Sequence, residues 1–259
     1  MEDVISTEPF AIDTGEARFV VDGDSVTLYV NGWPSSQWFG SRPGVLEFEY
    51  MNWMLAVIEV LWPPSARLRC LHLGAAACAL PRAIAFRWPA SRHLAVEIDA
   101  KLAEAVRAQV SLPRSPVLRL RVDDAAATLR ARPPGSQELI IRDVFDSDGR
   151  TPADLAGQSA ALAAAAALAP EGVYLANCGD QPKLPAAKLE ARVLAGAFEY
   201  VAVIAEPGQW RGRRRGNAVL VASKRQLSAA QERQLARFLA GGGFPARLMG
   251  AAEVRRWSS

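Results

Sequence analysis

Residues 67–79 read Arg-Leu-Arg-Cys-Leu-His-Leu-Gly-Ala-Ala-Ala-Cys-Ala, an apolar run followed by a turn of small residues and a helix-forming segment. This pattern predicts a strand over 67–74 and a helix from about Ala79. Small residues in such a turn let a ligand approach the backbone, and the helix amino terminus favours partial negative charge. An ordinary strand-to-helix turn has the same pattern, so the turn alone leaves both interpretations open.

The same alternation continues through the rest of the chain. Six further strands are predicted at 93–98, 117–122, 139–144, 172–177, 200–204 and 217–222. Helical patterns separate them up to the sixth strand, whereas the last two strands are joined without one and are expected to be antiparallel neighbours. Alternation of this kind predicts an α/β fold, with one mostly parallel sheet of seven strands covered by helices on both faces.

A small β unit precedes this alternation. Residues 18–30 read as two short strands around Asp22-Gly23-Asp24, and Asp-Gly between β-branched runs favours a hairpin. Residues 46–61 have apolar side chains at helical spacing and end before Pro63-Pro64, so they predict a linking helix. We therefore expect a small amino-terminal β-hairpin domain over 1–45 and a main domain over 46–259.

Composition excludes several classes of protein. The 259 residues are 50% hydrophobic with a formal net charge of +3, too little to indicate a polyanionic partner. No apolar run reaches the roughly eighteen residues of a membrane span. The acidic amino terminus does not resemble a secretion signal, so a cytoplasmic location is expected. The three cysteines have no metal-ligand spacing, and His72 and His93 read as strand residues, so no metal site is expected.

The loop at 211–215 is dense in arginine. It could form a nucleic-acid patch. However, it lies between two predicted strands and has Trp210 as its single neighbouring aromatic residue. A solvated or interface loop is the favoured interpretation, and neither a nucleic-acid nor a membrane partner is expected.

Acidic residues follow the second, third and fourth predicted strands, at the end where open α/β sheets bind ligands. Glu97 follows Gly74 by about twenty residues, the spacing at which a carboxylate accepts bonds from ribose hydroxyls. Alternatively, Glu97 or Asp99 caps the next helix. Asp124 could accept from an adenine amino group or be an N-cap. Asp143 could orient an amine and take its proton, or be a solvated loop acid.

Six motifs occur in the order and spacing of spermidine synthases. They are Leu-His-Leu-Gly-Ala-Ala-Ala, Val-Glu-Ile-Asp, Asp-Asp-Ala, Ile-Ile-Arg-Asp-Val-Phe-Asp, Glu-Gly-Val-Tyr-Leu-Ala-Asn and Arg-Arg-Gly-Asn-Ala-Val-Leu-Val-Ala-Ser. Over about residues 18–250 the chain resembles the spermidine synthase-like proteins of actinobacteria. The resemblance implies a Rossmann-like fold of the class I methyltransferase type after a small β domain, and a homodimer. It also implies polyamine aminopropyl transfer from decarboxylated S-adenosylmethionine to a diamine, without a metal or a tightly bound cofactor.

The resemblance also implies roles for individual residues. Gly74 matches the glycine turn beside the nucleotide, Glu97 the ribose-binding acid and Asp124 the acid that reads the adenine edge. Asp143 matches the aspartate that activates the attacking amine. Tyr50 and Asp146 are expected to contact substrate, Tyr50 from the linking helix and Asp146 from the loop after Asp143.

The sequence departs from the family pattern at several of these positions. Ala77 stands where an aspartate holds the aminopropyl chain of the donor, and a cationic tail there loses a charge-assisted bond of about 1.5–3 kcal/mol. The pocket glutamine, the His-Glu after the linking-helix tyrosine and the loop proline are also replaced; the corresponding stretches here are Asn31–Ser35, Tyr50–Asn52 and Asp143–Ser147. The nucleotide half of the site therefore matches better than the amine half.

Three hypotheses follow. The first is a transferase that uses decarboxylated S-adenosylmethionine and an amine acceptor, or S-adenosylmethionine itself in a methyl transfer. The second is a non-catalytic nucleotide-binding or scaffold protein that keeps the fold. The third, a nucleic-acid module built on 211–215, is the least consistent with the low net charge.

Overall fold

The computed structural model describes residues 5–146 and 148–258, which form two sheets. Residues 1–4 of the predicted amino-terminal domain, Ser147 of the loop after Asp143, and Ser259 lie outside the described residues. The first sheet is antiparallel and runs in chain order through β1 (Phe10–Ile12), β2 (Gly15–Asp22), β3 (Ser25–Val30) and β4 (Trp33–Phe39). The predicted hairpin is thus confirmed, with one further strand on each side.

The second sheet has the order β12-β10-β11-β9-β8-β5-β6-β7. Its strands are β5 (Arg69–Leu73), β6 (Arg92–Glu97), β7 (Leu118–Val122), β8 (Gln137–Arg142), β9 (Leu168–Asp180), β10 (Tyr200–Ala205), β11 (Gly216–Ser223) and β12 (Arg247–Met249). Strands β7, β6, β5, β8 and β9 pair in parallel, and β11 pairs antiparallel with both β9 and β10. The predicted fold class is confirmed, and the short β12 adds an eighth strand at one edge.

Ten helices connect or cover the strands within the described part of the chain. They are α1 (Glu49–Leu61), α2 (Ala79–Arg87), α3 (Ala100–Gln109), α4 (Ala125–Arg130), α5 (Ala153–Ala156), α6 (Gln158–Ala167), α7 (Pro185–Ala195), α8 (Pro207–Trp210), α9 (Ala229–Gly241) and α10 (Ala251–Ser258). None of them combines the length and the apolar character that a bilayer crossing requires. The single helix predicted over 153–168 is interrupted at Gly157, whose extended backbone separates α5 from α6.

The main sheet is packed on both faces because its strands alternate side chains between two apolar cores. In β5, Cys70 belongs to the core shared with α1, α2, α3 and the first sheet, whereas Leu71 and Leu73 belong to the core under α4, α6 and α7. Burial on both faces explains why the central strands read as nearly continuous apolar runs.

The turn between β1 and β2 fastens the first sheet to helix α3. Asp99 caps α3 through Leu102 N and also accepts from the backbone N and Oγ1 of Thr14, both at 2.8 Å. In return, Asp13 accepts from the backbone N–H groups of Ala100 and Lys101. These contacts join the first sheet to the chain immediately after β6.

Candidate active site

Gly74 lets the carboxyl ends of β5 and β8 approach each other. Its φ of +87° lies in the left-handed region, and a β-carbon there would lie 2.1 Å from the carbonyl oxygen of Asp143. Its backbone N–H donates to Val96 O at 3.1 Å, and Asp143 N donates to Leu73 O at 2.8 Å. Because a side chain at Gly74 would push these strand ends apart, glycine is required by geometry.

The rest of the turn follows an unusual path for alanine and cysteine. Ala76 and Cys78 have φ of +42° and +58°, a region that costs a non-glycine residue about 1–2 kcal/mol. Ala77 is fully buried, and its methyl group packs in the apolar core. Burial raises the pKa of the Cys78 thiol to about 12, which keeps this cysteine protonated and unreactive at neutral pH.

Glu97, at the end of β6, accepts hydrogen bonds from four backbone N–H groups. Its Oε2 accepts from Ala76 at 3.0 Å and Ala75 at 3.4 Å, and its Oε1 from Ile98 at 3.0 Å and Asp99 at 3.2 Å. Burial raises the pKa of Glu97, and the four N–H groups partly offset that rise. Glu97 therefore contacts the turn after Gly74, next to the position where the sequence predicts a ribose, and Asp99 is the residue that caps α3.

Asp124 takes the alternative role that the sequence left open. Its Oδ1 accepts from Ala127 N at 2.6 Å and caps helix α4, and its side chain is exposed. The preceding Asp123 accepts from Thr128 Oγ1 at 2.9 Å. This cap occupies one of the two carboxylate oxygens of Asp124. The contact of Asp124 with adenine remains a prediction.

Asp143 is held between two side chains from distant elements. Tyr50 on α1 donates from its hydroxyl to Oδ2 of Asp143 at 2.7 Å, and Asn177 on β9 donates from Nδ2 to Oδ1 at 2.9 Å. The amide Oδ1 of Asn177 is buried and has no hydrogen-bond partner among the described residues. The Asp143 carboxylate itself accepts one bond on each oxygen and can accept further N–H donors.

Burial sets the ionisation of this pair. Burial raises the pKa of Asp143, while its bonds to Asn177 and Tyr50 lower it and offset part of the rise. The pKa of Tyr50 is raised well above its ordinary value by burial and by the nearby Asp143 carboxylate. Tyr50 is therefore a neutral hydrogen-bond donor, and Asp143 is a carboxylate with more than its usual affinity for a proton.

A buried ion pair between Arg142 and Glu190 also contacts the backbone of Asn177. Arg142 is fully buried and bonds with both of its terminal nitrogens to the carboxylate of Glu190 on α7. Its Nη2 also donates to the carbonyl of Asn177 at 2.9 Å. Because Arg142 directly precedes Asp143, this pair fixes the ends of β8 and β9 relative to each other.

Three residues near Asp143 were not singled out from the sequence: Asn177, Glu49 and Asn217. Asn217, on β11, donates from Nδ2 to Oε1 of Glu49 at 2.9 Å, and Glu49 precedes Tyr50 on α1. The two asparagines belong to the sequence motifs quoted above. Each asparagine is a polar residue in an otherwise apolar strand, at the sheet edge where β9 ends. This pattern could have identified both residues from the sequence.

Asp146 serves its own loop in this structure. Its Oδ1 accepts from the backbone N–H groups of Asp148 and Arg150, both at 2.9 Å, and its side chain is exposed. This arrangement closes the turn after Asp143. The substrate contact predicted for Asp146 remains a prediction, and the turn uses one of its two carboxylate oxygens.

His72 and His93 are strand residues, as predicted. The Oγ of Ser91 donates to Trp88 O at 2.5 Å and so accepts from Nε2 of His93 at 2.7 Å. Nδ1 of His93 then accepts from Nε2 of His72 at 2.9 Å. Cys70 Sγ lies within 4.8 Å of ring nitrogens from both histidines. These buried groups lie within the sheet, and three of the four histidine ring nitrogens, Nε2 of His72 and both nitrogens of His93, already have hydrogen-bond partners.

The two cavities described in this structure lie away from Asp143. They measure about 760 Å³ and 350 Å³ and are lined by segments that precede β5, β6 and β7, including Trp62, Trp88 and Val117. They are therefore at the amino-terminal edge of the parallel strands. The acids that follow the strands predict the ligand pocket at the carboxyl-terminal edge, where Gly74, Glu97 and Asp143 lie.

The strand order, the glycine turn and the acids at the carboxyl-terminal edge define a class I methyltransferase-type Rossmann fold. Many solved structures share it, among them the following three. A probable spermidine synthase from Corynebacterium glutamicum ATCC 13032 is 35% identical, covers 98% of this chain and 94% of its own, and superposes with a TM-score of 0.92. A spermidine synthase in complex with the transition-state analogue AdoDATO is 15% identical over 97% and 84%, with a TM-score of 0.65. Human methyltransferase-like protein 13 in complex with SAH is 22% identical over 81% and 92%, with a TM-score of 0.57.

The chain belongs to the spermidine synthase family, as its identity to the Corynebacterium protein over nearly the whole of both chains shows. The resemblance inferred from the sequence motifs is thereby confirmed. A scan against protein-family models and a search of curated proteins found no match.

Proposed function

We propose that this protein is a transferase that binds an S-adenosyl nucleotide and moves its aminopropyl group to an amine acceptor. The observation that carries the proposal is Asp143, which is held between Tyr50 and Asn177 at the carboxyl end of β8. Each oxygen of Asp143 accepts one of these two bonds. A carboxylate oxygen can accept more than one hydrogen bond, so Asp143 keeps the capacity to accept from an N–H group of an incoming amine.

In the proposed reaction Asp143 is the general base. The amine nitrogen forms a bond to the carbon beside the sulfonium, and the carbon–sulfur bond breaks with its electrons going to sulfur. The leaving group is the neutral thioether methylthioadenosine, and the proton of the attacking nitrogen passes to Asp143. A carboxylate with a raised pKa suits this role because it accepts the proton more readily than an ordinary aspartate does.

The nucleotide would bind beside the turn after Gly74. In this proposal the carboxylate of Glu97 exchanges the N–H groups of Ala75 and Ala76 for the two ribose hydroxyls. The second oxygen of Asp124 would accept from the adenine amino group while the first continues to cap α4. S-adenosyl compounds act here as co-substrates, and the proposal needs neither a metal nor a tightly bound cofactor.

Family membership and one neighbouring acid favour a decarboxylated donor. The 35% identical relative is described as a probable spermidine synthase, and a spermidine synthase of the same fold binds AdoDATO. Ala77 removes the acid that the family uses for the cationic tail, and its burial leaves no room for that contact. Glu49 is the nearby carboxylate that could replace it, because its proximity contributes to the raised pKa of Tyr50.

A second candidate is a non-catalytic binding or scaffold protein. Glu97 supports it, since four backbone N–H groups already occupy the carboxylate that should hold the ribose. The buried Ala77 supports it as well. We also propose a homodimer, as the family resemblance implies. A cytoplasmic location and domains at 1–45 and 46–259 are proposed from the composition and the sequence pattern.

The test is calorimetric titration with decarboxylated S-adenosylmethionine, S-adenosylmethionine and methylthioadenosine. We expect the decarboxylated donor to bind and Glu97→Ala to weaken it at least about tenfold. Glu104→Ala, at an exposed acid on α3, should leave it unchanged. Mass spectrometry after incubation with putrescine and other amines should then detect aminopropylated product and methylthioadenosine. Preference for S-adenosylmethionine would indicate methyl transfer instead, and no binding of any of the three would leave the scaffold hypothesis.

A further inference from the structure

Arg82, on α2, is a buried cation for which no acidic partner is found among residues 5–146 and 148–258. Its side chain is 9% exposed, and its Nη1 is buried with no hydrogen-bond partner among the described residues. The guanidinium carbon lies 5.5 Å from the centre of the Trp38 ring, which supplies a cation–π contact. Burial lowers the pKa of this guanidinium, as expected where the surroundings penalise its charge. A buried charge of this kind is costly unless an anion pairs with it.

Arg82 lines the smaller of the two cavities, which is otherwise mostly apolar. This cavity measures about 350 Å³ and includes Ala85, Leu112 and Pro113 in its walls. Ser111 is its one uncharged polar side chain. A ligand that reaches Arg82 through this cavity therefore meets one positive charge and an apolar surface.

The larger cavity adjoins it and is dominated by aromatic side chains. It measures about 760 Å³, within the size range of small-molecule sites, and shares Pro43 and Phe86 with the smaller cavity. Phe86 and Phe238 are 62% and 43% exposed, and Trp62 and Trp88 complete an apolar wall. Large side chains of this kind, grouped around a concave surface, are typical of a binding site.

The other arginines of these cavities already have acidic partners. Arg87 pairs with Glu59 and also donates to the carbonyl of Gly44, and Arg42 lies 3.8 Å from Asp24. Within the described lining, Arg82 is the arginine left without such a partner. The surface thus combines one unpaired, fixed positive charge with a long apolar wall.

We propose that the two cavities together bind an amphipathic carboxylate, a small molecule with a carboxylate head on Arg82 and an aliphatic chain along Phe86 into the larger cavity. A planar guanidinium matches a carboxylate in geometry. One negative charge neutralises Arg82, whereas a doubly charged phosphate would leave a surplus charge in an apolar cavity. The site is at the opposite edge of the sheet from Asp143, so this ligand uses none of the residues of the proposed transfer reaction.

The experiment measures binding of decanoate, decan-1-ol and decylamine to the full chain by calorimetry and by tryptophan fluorescence, since Trp62 and Trp88 line the larger cavity. We expect saturable binding of decanoate that is at least about tenfold tighter than that of decan-1-ol, the ratio expected for one charge-assisted contact. Decylamine, which carries the wrong charge, should bind more weakly than both.

Two variants and one control assign the site. Arg82→Leu should make decanoate and decan-1-ol bind equally, with a thermal midpoint that is unchanged or higher. Phe238→Glu, at an exposed position of the larger cavity, should weaken decanoate more than decan-1-ol through charge repulsion. Arg130→Leu, at an exposed arginine on α4, should preserve the preference for decanoate. Equal affinity of the native protein for decanoate and decan-1-ol, or a preference that survives in Arg82→Leu, would overturn the proposal. No binding of decanoate would overturn it as well.

Discussion

The α-carbon of Gly74 lies against the carbonyl of Asp143, and a β-carbon would come within 2.1 Å of that oxygen. We expect Gly74→Ala to lower the free energy of unfolding by more than about 2 kcal/mol. Its left-handed backbone alone costs alanine about 1–2 kcal/mol, and the contact adds to this. Urea denaturation measures the change. Gly135→Ala is the matched control, since φ is +66° there and nothing lies within 4 Å. Equal decreases in the free energy of unfolding for the two variants would contradict the close approach of Gly74 to the Asp143 carbonyl.

Asp143→Asn should separate stability from activity. Burial raises the pKa of Asp143 above its value in the unfolded chain. The folded protein therefore loses stability as the pH rises through that raised pKa and the buried carboxyl group ionises. The oxygen of the new amide can accept from Tyr50, and its N–H can donate to the oxygen of Asn177 once the Asn177 amide turns over, since Nδ2 of Asn177 faces this position in the native protein. We expect a gain of about 1 kcal/mol, or roughly 2–4 °C in thermal midpoint, near neutral pH and a smaller gain near pH 4.

The same variant should lower any transfer rate by about 10²–10⁴-fold, because the base is gone. Thermal unfolding at several pH values and a single-turnover assay measure the two effects. Asp154→Asn, at an exposed acid on α5, serves as the control and should change neither. A variant that loses stability at neutral pH while keeping its activity would contradict both expectations.

Glu190→Ala should be among the most destabilising changes in the chain. It leaves the fully buried guanidinium of Arg142 without its carboxylate, which should lower the free energy of unfolding by about 3–5 kcal/mol. Replacing both residues by leucine removes the unpaired charge and should recover part of that loss. Chemical denaturation midpoints distinguish the two cases. If Glu190→Ala is more stable than the double leucine variant, the unpaired charge of Arg142 is not the cause of the destabilisation.

The histidine pair should make the fold sensitive to acid. Burial lowers the pKa of His93 from an ordinary value near 6.5 to about 4, and burial lowers the pKa of His72 well below its ordinary value. Below about pH 6.5 the unfolded chain takes up protons that the folded chain refuses, so stability is present above that pH and falls towards pH 4. Denaturation at pH 7, 5.5 and 4.5 should show the decline. A His72→Leu, His93→Leu double variant should show a weaker dependence, and an equally steep decline would contradict the assignment.

The sequence predicted the main sheet well because its central strands are buried on both faces and read as apolar runs between helices. It missed β4, whose Pro34 is unusual within a strand. The structure accommodates Pro34 opposite Tyr29 at a register shift on the edge of the first sheet. The strand β12 has three residues, too few for a periodic pattern, and α10, although amphipathic, is eight residues long and mostly polar.

The site was predictable in its acids and not in their partners. Each acid follows a strand, and position along the chain identified Glu97 and Asp143. The contact of Tyr50 with Asp143 joins residues that are 93 positions apart, and Asn177 reaches Asp143 from the neighbouring strand. Such pairs depend on how α1 and β9 pack, which local patterns do not specify. Likewise, the choice of Asp124 between capping and ligand binding depends on the local backbone.

Five consecutive backbone amides, from Ile98 to Leu102, donate to carboxylate oxygens. Glu97 accepts the first two, Asp13 the next two and Asp99 the last. A backbone carbonyl does not change its protonation state over the ordinary pH range. A carboxylate does, and it becomes a weaker hydrogen-bond acceptor once it is protonated. Hydrogen–deuterium exchange in this stretch should therefore accelerate on acidification, relative to the amides of the sheet once the intrinsic rate is corrected. Acid would then loosen the link between the two sheets locally, beside the candidate nucleotide site, before the whole chain unfolds.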